Sequence, residues 1–347
     1  MSSIGEGKDA QEQRSQIERE LTRWDFLRMS GAGIAGTMLL GAVGCSGSSS
    51  SGGGGGSKGG TGPYIFLPKS LNNPYWADCK KGMTAEAKKL GVEAKFIGPD
   101  TPDPGKQVQL FENALAQNPS GIAISPNDPA TVKATVDRAT AQGIPVLAWD
   151  SPVPNSKAIA YIGTDNVVAG KKLAEALAPT IGKKGQIAIL VGSLSAINAQ
   201  QRIQGFKEGL KAYPDIEIVA TQSTQESVSV ATSQSENLLQ AHPDLVSLVG
   251  ITGSDATGCG TAVKEANKCG KVKVVGFDVV PQAVNLMQDG CIQIIISQKP
   301  YGMSALTLKT LYELHKGKKK PSDVKSVDTG TVLVTPKNLK EFMKKPH

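Results

Sequence analysis

The chain has 347 residues, with 38 Lys plus Arg against 31 Asp plus Glu, 39 Gly, 5 Cys and 3 His. That is a globular composition with length enough for two domains. Three scattered His (His242, His315 and His347) and no Cys-x-x-Cys pair exclude ordinary zinc-site spacing, so no metal and no cofactor are expected.

Residues 1–28 are polar and of mixed charge, and they end in Thr22-Arg23-Trp24-Asp25-Phe26-Leu27-Arg28. An apolar run of small residues follows, from about Met29 to Gly44. It falls short of the roughly 20 predominantly apolar residues of a spanning helix and reads as an export signal. The segment resembles a twin-arginine signal with Trp24 in the place of the second Arg, so that route and general secretion both stay open. Leu40-Gly41-Ala42-Val43-Gly44-Cys45 resembles a lipoprotein box, which implies lipidation at Cys45 and loss of residues 1–45. Ser46 to Gly62 is almost pure Ser and Gly, a coil whose r.m.s. reach is roughly 23 Å. Such a tether suits a protein held beside a membrane.

Without residues 1–45, which hold 5 basic and 6 acidic residues, 33 basic and 25 acidic residues remain, a formal charge of +8. The lysines are spread along the chain, and the densest run, Lys316-Gly317-Lys318-Lys319-Lys320, reads as a solvated helix end. No DNA-reading module precedes the globular part, so no nucleic-acid partner is expected.

From Pro63 onward, short apolar runs alternate with helical patterns. The strands are expected at Tyr64 to Leu67, Val92 to Ile97, Gly121 to Ser125, Pro145 to Trp149, Ala158 to Ile162, Gln186 to Val191, Glu217 to Thr221, Ser247 to Ile251, Val272 to Phe277 and Ile292 to Ser297. Apolar residues recur at helical spacing between them, as in Trp76 to Leu90, Gln107 to Ala116 and Val167 to Leu177. Serial alternation with nearly continuous apolar strands is an α/β pattern of parallel sheets covered on both faces. About ten such units exceed one comfortable open sheet, so two doubly wound parallel-sheet lobes joined by a three-strand hinge are expected. Asp150 to Ser156 joins two strands without a helix and marks the approach to the first crossing, at Asp165. The other crossings fall near Gln298 and near Asp328-Thr329-Gly330. The first lobe then takes residues 63–165 plus 299–328, and the second takes 166–298 plus 329–347.

Ligands of such sheets bind beyond the carboxyl ends of the strands, and the residues there are polar: Asn72-Asn73, Asn127-Asp128, Asp150-Ser151, Asp278 and Gln298. Five ordered motifs carry a specific resemblance: Ser70-Leu71-Asn72-Asn73-Pro74-Tyr75-Trp76, Ile124-Ser125-Pro126-Asn127-Asp128, Gly163-Thr164-Asp165-Asn166, Arg202-Ile203-Gln204-Gly205-Phe206 and Val275-Gly276-Phe277-Asp278. At these separations the chain, from about Tyr64 onward, resembles the periplasmic sugar-binding proteins of the ribose-binding type. The resemblance implies a two-lobed type I binding fold, a monomer that captures a monosaccharide or polyol. It would hand the solute to the permease of an ABC transporter and perform no chemistry.

A sugar offers apolar C–H faces and a rim of hydroxyls, so its site needs flat rings and paired donors and acceptors. Tyr75 and Trp76 follow Pro74 at a helix start, and neighbouring helical residues point about 100° apart; one packs inward while the other, or part of both, meets ligand. Asn73 either contacts ligand or shapes the turn before Pro74. The resemblance implies hydroxyl contacts for Asp150, Asp278 and Gln298. It places Ser151 where the ribose binders have an Arg, Gln200 where they have another, and Glu226 where they have an aromatic. Ser254 falls where the family commonly has Asn. Asn198 and Arg202 are four apart and share a helix face; Arg202 is either a ligand fork or a structural ion pair. Asp128 is expected to cap a helix, with Asp165 and Asn166 at the hinge and the next cap.

Cys79, Cys259, Cys269 and Cys291 are even in number in a chain bound for an oxidising compartment. Cys269 and Cys291 precede strands expected to be neighbours, which makes them a candidate bridge. A nicotinamide enzyme would want Gly-x-Gly-x-x-Gly after the first strand, where this chain has Pro68-Lys69-Ser70-Leu71-Asn72-Asn73. A repressor of similar lobes would carry a DNA-reading helix pair where the export signal stands. A sensory receptor serving a signalling partner shares every feature above.

Overall fold

The computed structural model describes residues 60–344; Cys45 and the expected export signal lie outside them. The chain divides into two units, residues 1–54 and 55–347, and the described residues all belong to the second. They form two parallel α/β sheets of six strands each.

The first sheet contains β1 (Gly62–Leu67), β2 (Ala94–Phe96), β3 (Pro119–Ile124), β4 (Val146–Trp149), β5 (Tyr161–Gly163) and β11 (Val327–Asp328), in the order β11-β5-β4-β3-β1-β2. The second contains β6 (Gly185–Val191), β7 (Ile216–Ser223), β8 (Leu245–Gly250), β9 (Lys273–Phe277), β10 (Ile294–Ser297) and β12 (Val332–Val334), in the order β12-β10-β9-β8-β6-β7. Only β12 runs antiparallel to its neighbour, pairing Ile295 with Val334. The two orders superpose strand for strand, so β4 of one sheet answers to β9 of the other.

Alternation along each strand feeds two cores per sheet. Tyr64 and Phe66 of β1 face α1 (Tyr75–Leu90) and α9 (Pro300–His315). Ile65 and Leu67 face α2 (Pro104–Leu115) and α3 (Pro129–Ala141). In the second sheet, Ile187, Ile189 and Val191 pack on α4 (Asn166–Thr180) and α5 (Ile197–Leu210). Ala188 and Leu190 pack on the face covered by α6 (Val228–Ala241), α7 (Gly253–Glu265), α8 (Pro281–Gln288) and the short α10 (Leu339–Phe342). Each sheet with its helices forms a lobe.

Side-chain caps start the helices where the chain leaves a strand. Asp103, Asp128 and Asp165 accept from Lys106 N, Ala130 N and Val168 N at 2.8, 2.7 and 3.0 Å, satisfying donors that the first turn leaves open. Thr252 and Asp255 form a reciprocal capping box on α7. Glycine sets how closely α4 and α5 approach: a Cβ on Gly205 would lie 1.9 Å from the Val167 carbonyl oxygen. That closeness fixes α5, and Arg202 with it, against the hinge.

The strands β11 and β12 are absent from the sequence expectation. Two and three residues are too short for a pattern of period two, and both sit on the returning crossings. Cys269 and Cys291 are disulfide-bonded, joining the approaches to β9 and β10, while Cys79 and Cys259 are buried free thiols.

Candidate functional site

The carboxyl ends of the strands in both lobes converge on one buried polar cluster, beside the three crossings. Across those crossings Thr164 Oγ1 donates to Gln298 Oε1 at 2.9 Å, Thr329 N to the Gly163 carbonyl at 2.7 Å, and Asp165 N to Asp328 Oδ1 at 3.0 Å.

On the first lobe, Asp150 ends β4 at φ 60°, a left-handed conformation uncommon outside glycine and concentrated at functional positions. Its Oδ2 accepts from Lys69 Nζ at 2.7 Å and from Ser125 Oγ at 2.6 Å. Burial by itself would raise the Asp150 carboxyl; the Lys69 charge and the two hydrogen bonds outweigh it and hold the group below the usual carboxylate value. Lys69 is only 3% exposed and lies 5.6 Å from the centre of the Trp76 ring. Trp76 meets Tyr75 and Trp149 edge to face, at 5.0 and 5.5 Å between centroids. Tyr75 and Trp76 are both buried, and Tyr75 reaches Met303 Sδ at 4.0 Å. Asn73 does two things at once: Oδ1 accepts from Tyr75 N at 3.0 Å, shaping the turn, and Nδ2 donates to Glu226 at 3.3 Å. Ser151 is buried next to Asp150.

On the second lobe, Asp278 ends β9 with φ 66°. Its Oδ1 accepts from Gln298 Nε2 at 2.8 Å. Burial raises the Asp278 carboxyl above its ordinary value, and Arg202 and Gln298 counter this only in part. Arg202 lies 4.3 Å over the Phe277 ring, with Nε donating to Asn166 Oδ1 and Nη1 to the Ile251 carbonyl, both at 2.9 Å. The guanidinium is therefore positioned by neutral partners and not by an ion pair on its helix. Asn198, one turn before it, is buried as well. Glu226, at φ 55°, accepts from Ser70 Oγ at 3.1 Å and from Asn73, so its carboxylate bridges the lobes. Ser254 opens α7 beside Asp255, whose acid is pushed up to about 6, first by burial and further by the Glu226 charge, against hydrogen bonds from Thr224 and Thr252.

Of the nine side-chain atoms buried without a hydrogen-bond partner among the described residues, five belong to this region: Ser151 Oγ, Ser254 Oγ, Arg202 Nη2, Trp76 Nε1 and Asn127 Oδ1. Buried polar atoms are rarely left so, and each one calls for a cause such as a ligand or water. Five such atoms around two left-handed aspartates describe a surface suited to a small molecule with hydroxyls on every side. Tyr75, Asp278 and Gln298 also line a pocket of about 330 Å³, together with Ser297, Tyr301 and Phe342.

The structure thus gathers Asn73, Tyr75, Trp76, Asp150, Ser151, Asn198, Arg202, Glu226, Ser254, Asp278 and Gln298. Gln200 is not among them: it is exposed, and its Nε2 donates to the Leu194 carbonyl at 2.7 Å, because its place on α5 turns it away from the Asn198–Arg202 face. Lys69 was missed, since a lysine straight after a strand is ordinarily a solvated end. Asn127 was expected at a ligand-facing strand end, whereas Ser125 and Asn166 were missed as parts of the cluster; the three hydrogen-bond to Asp150, the Lys69 carbonyl and Arg202.

The periplasmic binding protein domain matches residues 64–319 of this chain. The chain is 32% identical to the D-allose-binding periplasmic protein of Escherichia coli over 286 residues, 78% of this chain and 91% of that protein. It is 29% identical to the ribose import binding protein RbsB of Bacillus subtilis, over 72% of this chain and 80% of that protein. A solved ABC transporter solute-binding protein from Burkholderia graminis, in complex with D-arabinose, has a TM-score of 0.77 and 34% identity over 81% of this chain and 97% of its own. Another from Agrobacterium vitis, with D-fucose bound, has a TM-score of 0.77 and 30% identity over the same shares. With most of the chain matched in sequence and in fold, and the polar cluster at the strand ends where such a fold takes its solute, this chain belongs to the periplasmic binding protein family, whose members bind solutes and are not enzymes.

Proposed function

We propose that this protein is the monosaccharide receptor of an ABC importer, closing its lobes on a pentose, a hexose or a related polyol. The observation that carries this reading is the pair of left-handed aspartates, Asp150 and Asp278. They end equivalent strands on opposite sides of the hinge and are surrounded by donors and by polar atoms without partners. Asp150 with Lys69, and Asp278 with Gln298 and Arg202, accept and donate hydroxyl hydrogen bonds. Asn73, Asn198, Ser151, Ser254 and Glu226 complete the rim, and Tyr75 and Trp76 supply the flat face. Residues 63–165 with 299–328 and residues 166–298 with 329–347 move as the two bodies of the hinge. Cys45 carries the lipid, and residues 46–59 are the tether, since Gly62 already pairs in β1. The likeness to relatives named for allose and ribose, and to structures holding D-arabinose and D-fucose, supports this solute class.

A thermal-shift screen over aldopentoses, aldohexoses, deoxy sugars and polyols tests it. At least one sugar raises the midpoint, since a ligand that binds only the folded form stabilises it by mass action. Asp150→Ala combined with Asp278→Ala abolishes that rise. Silence across the panel with folded protein would sink the reading, as would a double variant that still responds.

A further inference from the structure

We infer that the far end of the first lobe, opposite the solute cluster, is a docking face for an anionic lipid surface. In a parallel α/β lobe every helix runs back from the cleft, so helix C-termini and strand starts share one end. The chain enters the first lobe at that end: Gly60, Gly62, Glu93 and Lys316 line one pocket there. Around this entry, Lys88 and Lys89 close α1, Lys95 stands in β2, and Lys316, Lys318, Lys319 and Lys320 follow α9. Three glutamates answer these seven lysines: Glu86 pairs with Lys89, Glu93 with Lys95 and Glu313 with Lys319. Among the described residues, the exposed ammonium groups of Lys88, Lys316, Lys318 and Lys320 form no ion pair, although Lys318 Nζ lies 5.0 Å from the centre of the Tyr312 ring and the Lys320 backbone donates to Asp323 Oδ2 at 3.2 Å. Just beyond them Asp323 and Lys325 cancel.

Favourable placement at helix C-termini explains Lys88 and Lys89; Lys318 and Lys319 close α9 through their backbone amides, which donate to the Glu313 carbonyl at 2.8 and 3.2 Å, a role that does not call for lysine side chains. On the other side of the same end, Arg138 pairs with Glu112, and the Lys157 backbone with Asp137. At the matching end of the second lobe, Lys183, Lys184, Lys207, Lys211 and Lys271 are exposed as well, among Glu208, Asp215 and Asp244, so what distinguishes the first lobe is that the preceding residues of the chain join it there.

Four unneutralised lysines next to the point where residues 1–59 join the body fit a surface of lipid phosphates more than a soluble partner. A tether through residues 46–59 would keep this end within reach of whatever it is attached to. The inference rests on the tethered reading for its orientation only, since the charge surplus is there without any anchor. Each lysine near an anionic bilayer strengthens binding by roughly fivefold, within a Debye length.

The test uses residues 46–347, which include the whole compact unit, without lipid. Cosedimentation with phosphatidylglycerol vesicles, against phosphatidylcholine vesicles, shows binding to the former that weakens steeply with salt. The variant Lys88→Gln, Lys316→Gln, Lys318→Gln, Lys320→Gln loses at least tenfold of it. A matched variant of the second lobe, Lys184→Gln, Lys207→Gln, Lys211→Gln, Lys271→Gln, keeps it within a factor of about three. Equal melting midpoints and equal sugar response establish that each variant is folded, independently of the docking result. Equal binding to both lipids overturns the proposal, and so does equal loss in both variants. Binding to a soluble polyanion such as polyphosphate with none to vesicles also overturns it, and would point to a wall polymer instead.

Discussion

Replacing Lys69 by Met keeps most of the side-chain volume and removes the charge that faces Asp150. Both side chains are almost wholly buried, at 4% and 3% exposure, so solvent screens the pair little. Breaking a buried pair at one partner costs about 3 to 5 kcal/mol, because the remaining charge has no compensation. For a body of this size that lowers the melting midpoint by about 6 to 10 °C. Asp150→Asn strands Lys69 in the same way, whereas the double variant carries neither charge and recovers most of the loss. A double-mutant cycle in urea at pH 7 reads this as a coupling of roughly 3 kcal/mol.

The pH dependence gives an independent signature. In the natural chain the Asp150 carboxyl is held below its unfolded value, so its stabilisation is present above about pH 4 and fades as pH falls through the lower value. In Lys69→Met, burial acts against a weaker counterweight and the carboxyl rises. The variant is then favoured at low pH and loses stability as pH climbs from about 4 towards 7. Additive single effects, or the same slope in both proteins, would refute the argument that Lys69 is what keeps Asp150 ionised.

Three further outcomes are expected. Asp255, at about 6 in the folded protein, withdraws stability as pH rises from about 4 to 6; Asp255→Asn flattens that part of the profile by about 2 to 3 kcal/mol, checked by denaturant unfolding at a series of pH values. Reducing the Cys269–Cys291 bridge, whose partners are 22 residues apart in sequence, frees an unfolded-state loop and costs about 3 kcal/mol, seen as a lower urea midpoint in dithiothreitol and in Cys269→Ser. Gly205→Ala, with its new Cβ directed at the Val167 carbonyl, forces α4 and α5 apart. It costs about 1 to 3 kcal/mol and weakens sugar affinity through Arg202, measured by melting and by calorimetry with whichever sugar the screen finds.

The β-α alternation was legible because each long strand is an unbroken apolar run and each helix keeps a 3.6-residue period. Asp128 was legible as a cap because a side-chain oxygen just before an apolar helix leaves few other uses. What escaped was whatever depends on two distant segments meeting. Lys69 is unremarkable until β4 sets Asp150 beside it, 81 residues later. Glu226 stands equally for a solvated loop acid until Ser70 and Asn73 of the other lobe are placed against it. Gln200 failed for a local reason: two positions along a helix rotate a side chain by about 200°, so it cannot share the face of Asn198. The strands β11 and β12 carry too few residues to show any period.

The likeness of the two lobes makes the asymmetry of the site informative. Asp150 and Asp278 end equivalent strands in the same left-handed conformation, so the backbone device is shared and the electrostatic setting is what differs. A buried ammonium faces Asp150 and keeps it ionised on its own lobe. A neutral amide faces Asp278, and burial raises it. The charge that opposes this rise is Arg202, which also acts favourably on Asp150 across the lobes. Arg202 therefore acts on both carboxylates, lowering each against its burial, while Nη2 is left over after Nε and Nη1 are engaged by Asn166 and Ile251. A lysine there would supply a charge but no rigid fork stacked on Phe277. The first lobe thus carries a carboxylate held ionised by its own lysine, and the second carries one that depends on a guanidinium neighbour; on the proposed reading of the site, the two halves would contribute unequally to catching a solute and to closing on it.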